Sequence, residues 1–245
     1  SGVMVDTKDP NAVADARARI VASIDAGKPV RAIDLIQIPD WGVIVGYRDG
    51  GDTLLCRDYH AQGDEYAEVA KFPWVVEFIG EKGRQPSARE NVVRALQVAV
   101  ELADTPRFGK YASGFAAYDA WIGDLQDEQR YAAADAELMT HMTHVNAWCY
   151  DSLTDARGSA TRFLRASVQL IPEAAEDLEK IAAEYDAVLD VLREGRGDIV
   201  YPWSLKDGAT WTPEMRAAAA SHLRDAKQRE TKAVDLIRQA LAAEW

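Results

Sequence analysis

The sequence predicts an α+β protein in which an antiparallel sheet is followed along the chain by an antiparallel α-helical bundle. Three observations carry this. β-prone runs separated by glycine- and aspartate-rich turns fill residues 30–80, and after Pro86-Ser87 the apolar spacing changes to three and four residues and stays there. Proline then falls at the breaks or first turns of the long helical stretches rather than inside them. The change of period places a strand-rich half-domain at 1–84 and a helical domain at 85–245.

In chain order, Val3-Met4-Val5 is a short β-prone run. Asp9-Pro10-Asn11 then supplies a capping side chain and a first-turn proline for a helix reaching about Ala26, with Val13, Ala16, Ile20 and Ile24 on one face. Gly27 and Pro29 close it. Strands are expected at Val30–Ile36, Trp41–Tyr47 and Thr53–Cys56, joined as a meander through Pro39-Asp40 and Asp49-Gly50-Gly51-Asp52. A last strand, Trp74–Ile79, follows Pro73. Helices are expected at about 87–104, 112–126, 128–153, 155–170, 173–194 and 213–243. Thr105-Pro106, Ile171-Pro172 and the stretch from Gly195 to Gly208 break them, and short connectors imply antiparallel neighbours.

Forty acidic against 28 basic residues give a net charge of −12, which repels phosphate backbones and anionic membrane surfaces. Neither nucleic acid nor a membrane is an expected partner. No run approaches the roughly 20 apolar residues of a membrane-spanning helix, and no signal peptide opens the chain. With two cysteines, Cys56 and Cys149, a reducing cytoplasm is the simpler setting.

Four groups of residues bear on chemistry. Cys56, Asp58 and His60 are the residue types of a cysteine hydrolase, yet they crowd one strand and its exit, where neighbouring side chains point to opposite faces, so Cys56 is expected to be a buried structural thiol. Glu137, His141 and His144 share a helix face at i, i+4 and i+7, but lack the second-helix ligands of a bundle metal site; no metal and no cofactor is expected. Phe115, Tyr118 and Trp121 recur every third residue, as core aromatics do, or as the wall of a ligand pocket with Arg157 or Arg162 as an anion contact. Ser1, ahead of a β-prone run, has the amine and hydroxyl that an N-terminal-nucleophile hydrolase uses together.

The segments from Arg19 to Val30, from Gly42 to Tyr47 and from Trp74 to Lys82 resemble the second half of a papain-like, peptidase C39-like domain of the bacterial group related to the N-terminal domain of the butirosin biosynthesis protein H. Gly114–Trp121 and Asp155–Leu164 resemble the helical extension found in that group. The resemblance implies a fold whose nucleophilic cysteine lies on a helix of the first half, expected on a companion N-terminal fragment. It also implies a histidine at the start of the strand reading here as Trp41–Tyr47, where this chain has Asp40-Trp41-Gly42. Asp58 falls near the family's aspartate or asparagine position.

These readings lead to a papain-like-fold protein without peptidase chemistry that binds a peptide, acyl or other small-molecule ligand in the cleft between sheet and helices. Trp41, Asp58, Tyr118, Trp121, His144 and Arg157 are the expected lining. One alternative is a cysteine-dependent acyl or amide transferase or hydrolase whose nucleophile lies upstream. Another is a helical partner-binding protein whose last helix packs on a second copy of the chain.

Overall fold

The structure, a computed structural model, describes residues 2–206 and 208–243. It is α+β, and the chain forms two compact units, Ser1–Arg84 and Gln85–Trp245.

Among the described residues, the first unit is one six-stranded antiparallel sheet with a single α-helix. Its strands are β1 (Gly2–Met4), β2 (Val30–Ile33), β3 (Trp41–Arg48), β4 (Thr53–Arg57), β5 (Ala67–Glu68) and β6 (Val75–Phe78), in the order β1-β6-β2-β3-β4-β5. The expected meander β2-β3-β4 is present, while β6 inserts between β1 and β2. Alternation fixes which face is inward: Val30, Ala32, Ile44, Leu54, Cys56 and Val76 are buried on Ala16 and Ile20 of helix α1 (Pro10–Asp25). Asp9 caps α1, accepting from the Asn11 amide at 2.9 Å. From the middle of the helix, Arg17 donates to the Asp52 carbonyl at 2.8 Å and so ties the β3–β4 turn to it.

Strands β2 and β3 each carry an irregularity. β2 stops at Ile33 rather than Ile36 because Asp34 turns into the left-handed region (φ 73°), which an extended ladder cannot include. In β3, Ile44 pairs with Cys56 but Gly46 with Leu55, so Val45 is a bulge.

The second unit holds helices α2 (Ala88–Asp104), α3 (Gly114–Leu125), α4 (Glu128–Ala132), α5 (Ala136–Val168), α6 (Ala175–Glu194), α7 (Pro202–Lys206) and α8 (Pro213–Ala242). A two-stranded hairpin of β7 (Arg107–Phe108) and β8 (Tyr111–Ala112) precedes α3. Ser87 and Glu90 close a reciprocal capping box on α2, and Thr212 caps α8 with Pro213 in its first turn. The helices expected at 128–153 and 155–170 prove to be one, α5, with the short α4 before it. No proline or glycine interrupts residues 150–157, and Thr154 satisfies its hydroxyl on the Tyr150 carbonyl within the helix (2.8 Å), so it does not compete for a turn. The break falls instead at Asp135, whose carboxylate caps the Leu138 amide.

Facing residues show how α5 and α6 run. Tyr150 bonds the Leu192 carbonyl, Gly158 lies on Leu189 and Arg165 pairs with Asp186, so positions rise along α5 as they fall along α6. Every third or fourth residue of α6 (Leu178, Ile181, Tyr185, Val188, Leu192) and of α8 (Leu223, Ala226, Glu230, Ala233, Ile237) is buried. No described helix is long and apolar enough to cross a membrane.

One position in the sheet unit is set by close approach. A Cβ on Gly42 would lie 2.7 Å from Leu35 Cδ1, 2.8 Å from Asp58 Cβ and 2.9 Å from the Arg57 carbonyl oxygen, whereas one on Gly46 would meet nothing nearer than 3.6 Å. Gly42→Ala is expected to cost about 1–3 kcal/mol in urea denaturation, and Gly46→Ala well under that. Equal losses would show that backbone entropy rather than space decides both positions.

Candidate functional site

The helical unit contains a cavity of about 680 Å³ lined by α2, the β8–α3 junction, α3, α5, α6 and α8. Its walls are mostly apolar, with Ala99, Leu102, Phe115, Trp121 and Leu153 among them, and its polar groups are few. Gly114 makes the rim. Its φ is 54°, and a Cβ there would lie 2.3 Å from the Ala103 carbonyl oxygen and 2.4 Å from that of Leu102, so α3 can start against the end of α2 only through glycine.

The polar groups are built around Glu230 of α8, which is 7% exposed. Arg157 of α5 donates to both of its oxygens, Nε to Oε2 at 2.9 Å and Nη2 to Oε1 at 2.7 Å, and the Tyr118 hydroxyl of α3 donates to Oε2 at 2.7 Å. This bidentate, charge-assisted geometry is the arrangement that compensates a buried carboxylate. Burial, then the Glu230 charge, raise the Tyr118 pKa far above the phenolic range. For Arg157, burial opposes the charge, but the Glu230 and Tyr118 fields outweigh it and hold the guanidinium above its ordinary value. Tyr185 of α6 also lines the cavity, and its pKa is pushed up to about 12, first by burial and then by Glu230. Among the described residues its hydroxyl has no hydrogen-bond partner, and Arg157 Nη1 has no acceptor.

Three of the six expected lining residues, Tyr118, Trp121 and Arg157, therefore meet in one cavity. Trp121 is fixed there by donation from Nε1 to Asn146 Oδ1 at 2.9 Å and by an edge-on contact with Tyr150. His144 lines a second cavity, of about 410 Å³, that shares Trp148 and Ser152 with the first. Trp41 and Asp58 belong to the sheet unit. Trp41 lies under the Arg31 guanidinium at 4.5 Å, and Asp58 accepts from the His60 amide at 2.7 Å while its Oδ2 is buried with no partner. Ser1 lies outside the described residues.

Cys56 is fully buried on the inner face of the sheet, and burial, with the nearby Asp58 charge, pushes its thiol up to about 11, opposite to what a nucleophile needs. Both cysteines are free, and Cys149 is exposed at the wall of the larger cavity. Glu137, His141 and His144 do not converge, for no group of three or more His, Cys, Asp or Glu among the described residues is placed to hold a metal ion.

Glu230, Tyr185 and Cys149 are absent from the expected lining. The signal for Glu230 is its register: it falls four residues after Ala226 and three before Ala233, inside the apolar stripe of α8, where a carboxylate must find a partner. No protein-family model matches this chain, and no curated protein matches it.

Arg157→Met is expected to cost about 3–5 kcal/mol because it strands a buried carboxylate. Adding Glu230→Met should restore most of that loss in a double-mutant cycle of thermal or urea melts. The raised Tyr185 pKa has a definite sign: neutral Tyr185 contributes stability that is complete below about pH 10, the ordinary phenol value, and is lost as pH rises through about 12. Tyr185→Phe should make the alkaline limb of the stability profile shallower, and an unchanged limb would remove Tyr185 from it. A thiol reagent should modify Cys149 alone in the folded protein and both cysteines after unfolding.

Proposed function

We propose that this protein binds a small acyl ligand, and that the larger cavity of the helical unit is its seat. The observation that carries the reading is the pairing of an apolar chamber of about 680 Å³ with a floor on which Arg157 and Tyr185 keep donors that no protein acceptor uses. An alkyl chain fits the walls. A carbonyl or carboxyl oxygen fits the floor, accepting from Arg157 Nη1 and the Tyr185 hydroxyl, while Glu230 keeps the guanidinium oriented. A cation would face Arg157 and find no free carboxylate beside it.

The sheet unit supports a binding protein rather than a peptidase: its cysteine is a buried, raised-pKa thiol, and Asp40-Trp41-Gly42 offers no histidine at the start of β3, where the resembled family has one. A papain-like half-domain followed by a helical bundle remains the reading of the fold that we favour, on the antiparallel order β2-β3-β4 and the position of Asp58 just after β4. Two free thiols accord with a reducing compartment such as the cytoplasm.

Octanoate and octanamide are suitable probes. Both are expected to raise the melting temperature of the full chain in a concentration-dependent way, and shortening the chain to four carbons should abolish the effect. Ala103→Phe, which fills the chamber, should remove binding. Tyr185→Phe should weaken it by about two- to tenfold, the worth of one hydrogen bond. If chain length has no influence, or Ala103→Phe binds as the parent does, the chamber is not the seat.

A further inference from the structure

The second cavity, of about 410 Å³, differs in chemistry from the first. One wall is a single face of α5, on which His144, Trp148, Asp151, Ser152 and Asp155 follow one another at helical spacing. The other is formed by Tyr201, Pro202 and Trp203, where the chain enters α7. Each wall presents rings. Tyr201 and Trp203 stack at 4.6 Å with 20° between their planes, and His144 meets Trp148 edge-on at 5.9 Å. The two indoles are 69% and 62% exposed, so the fold holds large aromatic surfaces beside an open cavity rather than burying them.

The charged residues that line the cavity, Asp151 and Asp155, have one sign. No lysine or arginine lines it. Asp151 is already satisfied, accepting from the Tyr201 hydroxyl at 2.9 Å and lying 3.3 Å from Arg196. Asp155 has neither a hydrogen bond nor an ion pair among the described residues. Indole and phenol faces attract cations through the ring quadrupole, and an uncompensated carboxylate adds to that field. The described residues offer no three-ligand cluster for a metal ion, so rings and a lone carboxylate select a cation that needs no coordination shell.

We propose that the second cavity is a binding site for an organic ammonium ion, one whose charge is spread over methyl or methylene groups. Trp148 and Trp203 cover its apolar substituents and Asp155 faces its charge. This site does not depend on acyl binding in the first cavity, since Asp155 and Trp203 line the second cavity alone.

Choline and its uncharged isostere 3,3-dimethylbutan-1-ol separate this proposal from a merely apolar hollow. In calorimetric titration of the full chain, choline is expected to bind about tenfold or more tightly than the alcohol. Trp203→Leu and Asp155→Asn, both at exposed positions, should each weaken choline several-fold, and Asp155→Asn should also reduce the preference over the alcohol. Ala103→Phe should leave choline binding unchanged, and the two second-cavity variants should leave octanoate binding unchanged. Equal affinity for the two compounds, no binding of choline, or choline binding indifferent to both substitutions would overturn the proposal.

Discussion

The Glu230 carboxylate is the point on which the helical unit turns. A buried carboxylate is costly unless its lone pairs are filled, and here they are filled by groups from two other helices, Arg157 of α5 and Tyr118 of α3. Tyr185 of α6 is close enough for its ionisation to feel the same charge. One side chain of α8 thus fixes the rotation of α3 and α5 about their axes. A slip of one residue in either would aim the donor about 100° away and leave the charge bare. Apolar packing alone tolerates such slips far better, because Leu and Ile contacts are not directional.

The cavity follows from that constraint. Small residues, Ala99, Ala103, Ala112, Ala117 and Ala160, face the space above the ion pair, and the larger rings of Phe115 and Trp121 stand at its sides. Trp121 cannot swing in to fill it, since its indole N–H is committed to Asn146 and its ring to Tyr150. A chamber bounded by fixed rings and alanines keeps its volume, whereas one bounded by methionines would close over it.

Much of the fold is written in local patterns. The β strands around Val30, Ile44, Leu54 and Val76 show as alternation, and the capped starts at Asp9 and Thr212 show as single residues with a known role. What escapes is whatever depends on distant partners. β6 lies between β1 and β2 through pairings more than 40 residues apart, and α5 runs through Thr154 and Asp155 because no local signal there is strong enough to end it. At the site, Tyr118, Trp121 and Arg157 were legible as residue types of a pocket wall. Their convergence was not, because it requires knowing that α3, α5 and α8 turn these faces to one another. Trp41 and Asp58 show the opposite limit, with suitable chemistry in a separate unit where each has its own local partner, Arg31 and the His60 amide.

On the proposed function, the ion pair also couples occupancy of the cavity to the stability of the helices around it. Arg157 keeps about a quarter of its side-chain surface in contact with solvent, so water still screens its attraction to Glu230. An apolar chain laid over the floor would displace that water and leave the pair in a lower dielectric, which strengthens both of its hydrogen bonds. Part of the binding free energy then goes into holding α3, α5 and α8 in register. A ligand that brings an oxygen acceptor for Arg157 Nη1 gains from this, since Glu230 already holds the guanidinium in orientation. One that cannot supply the acceptor must bury that donor unpaired, at a cost of about 1–3 kcal/mol. On the proposed function the chamber therefore selects its ligand at both ends, by the acceptor that meets Arg157 and by the chain length that fills the apolar walls.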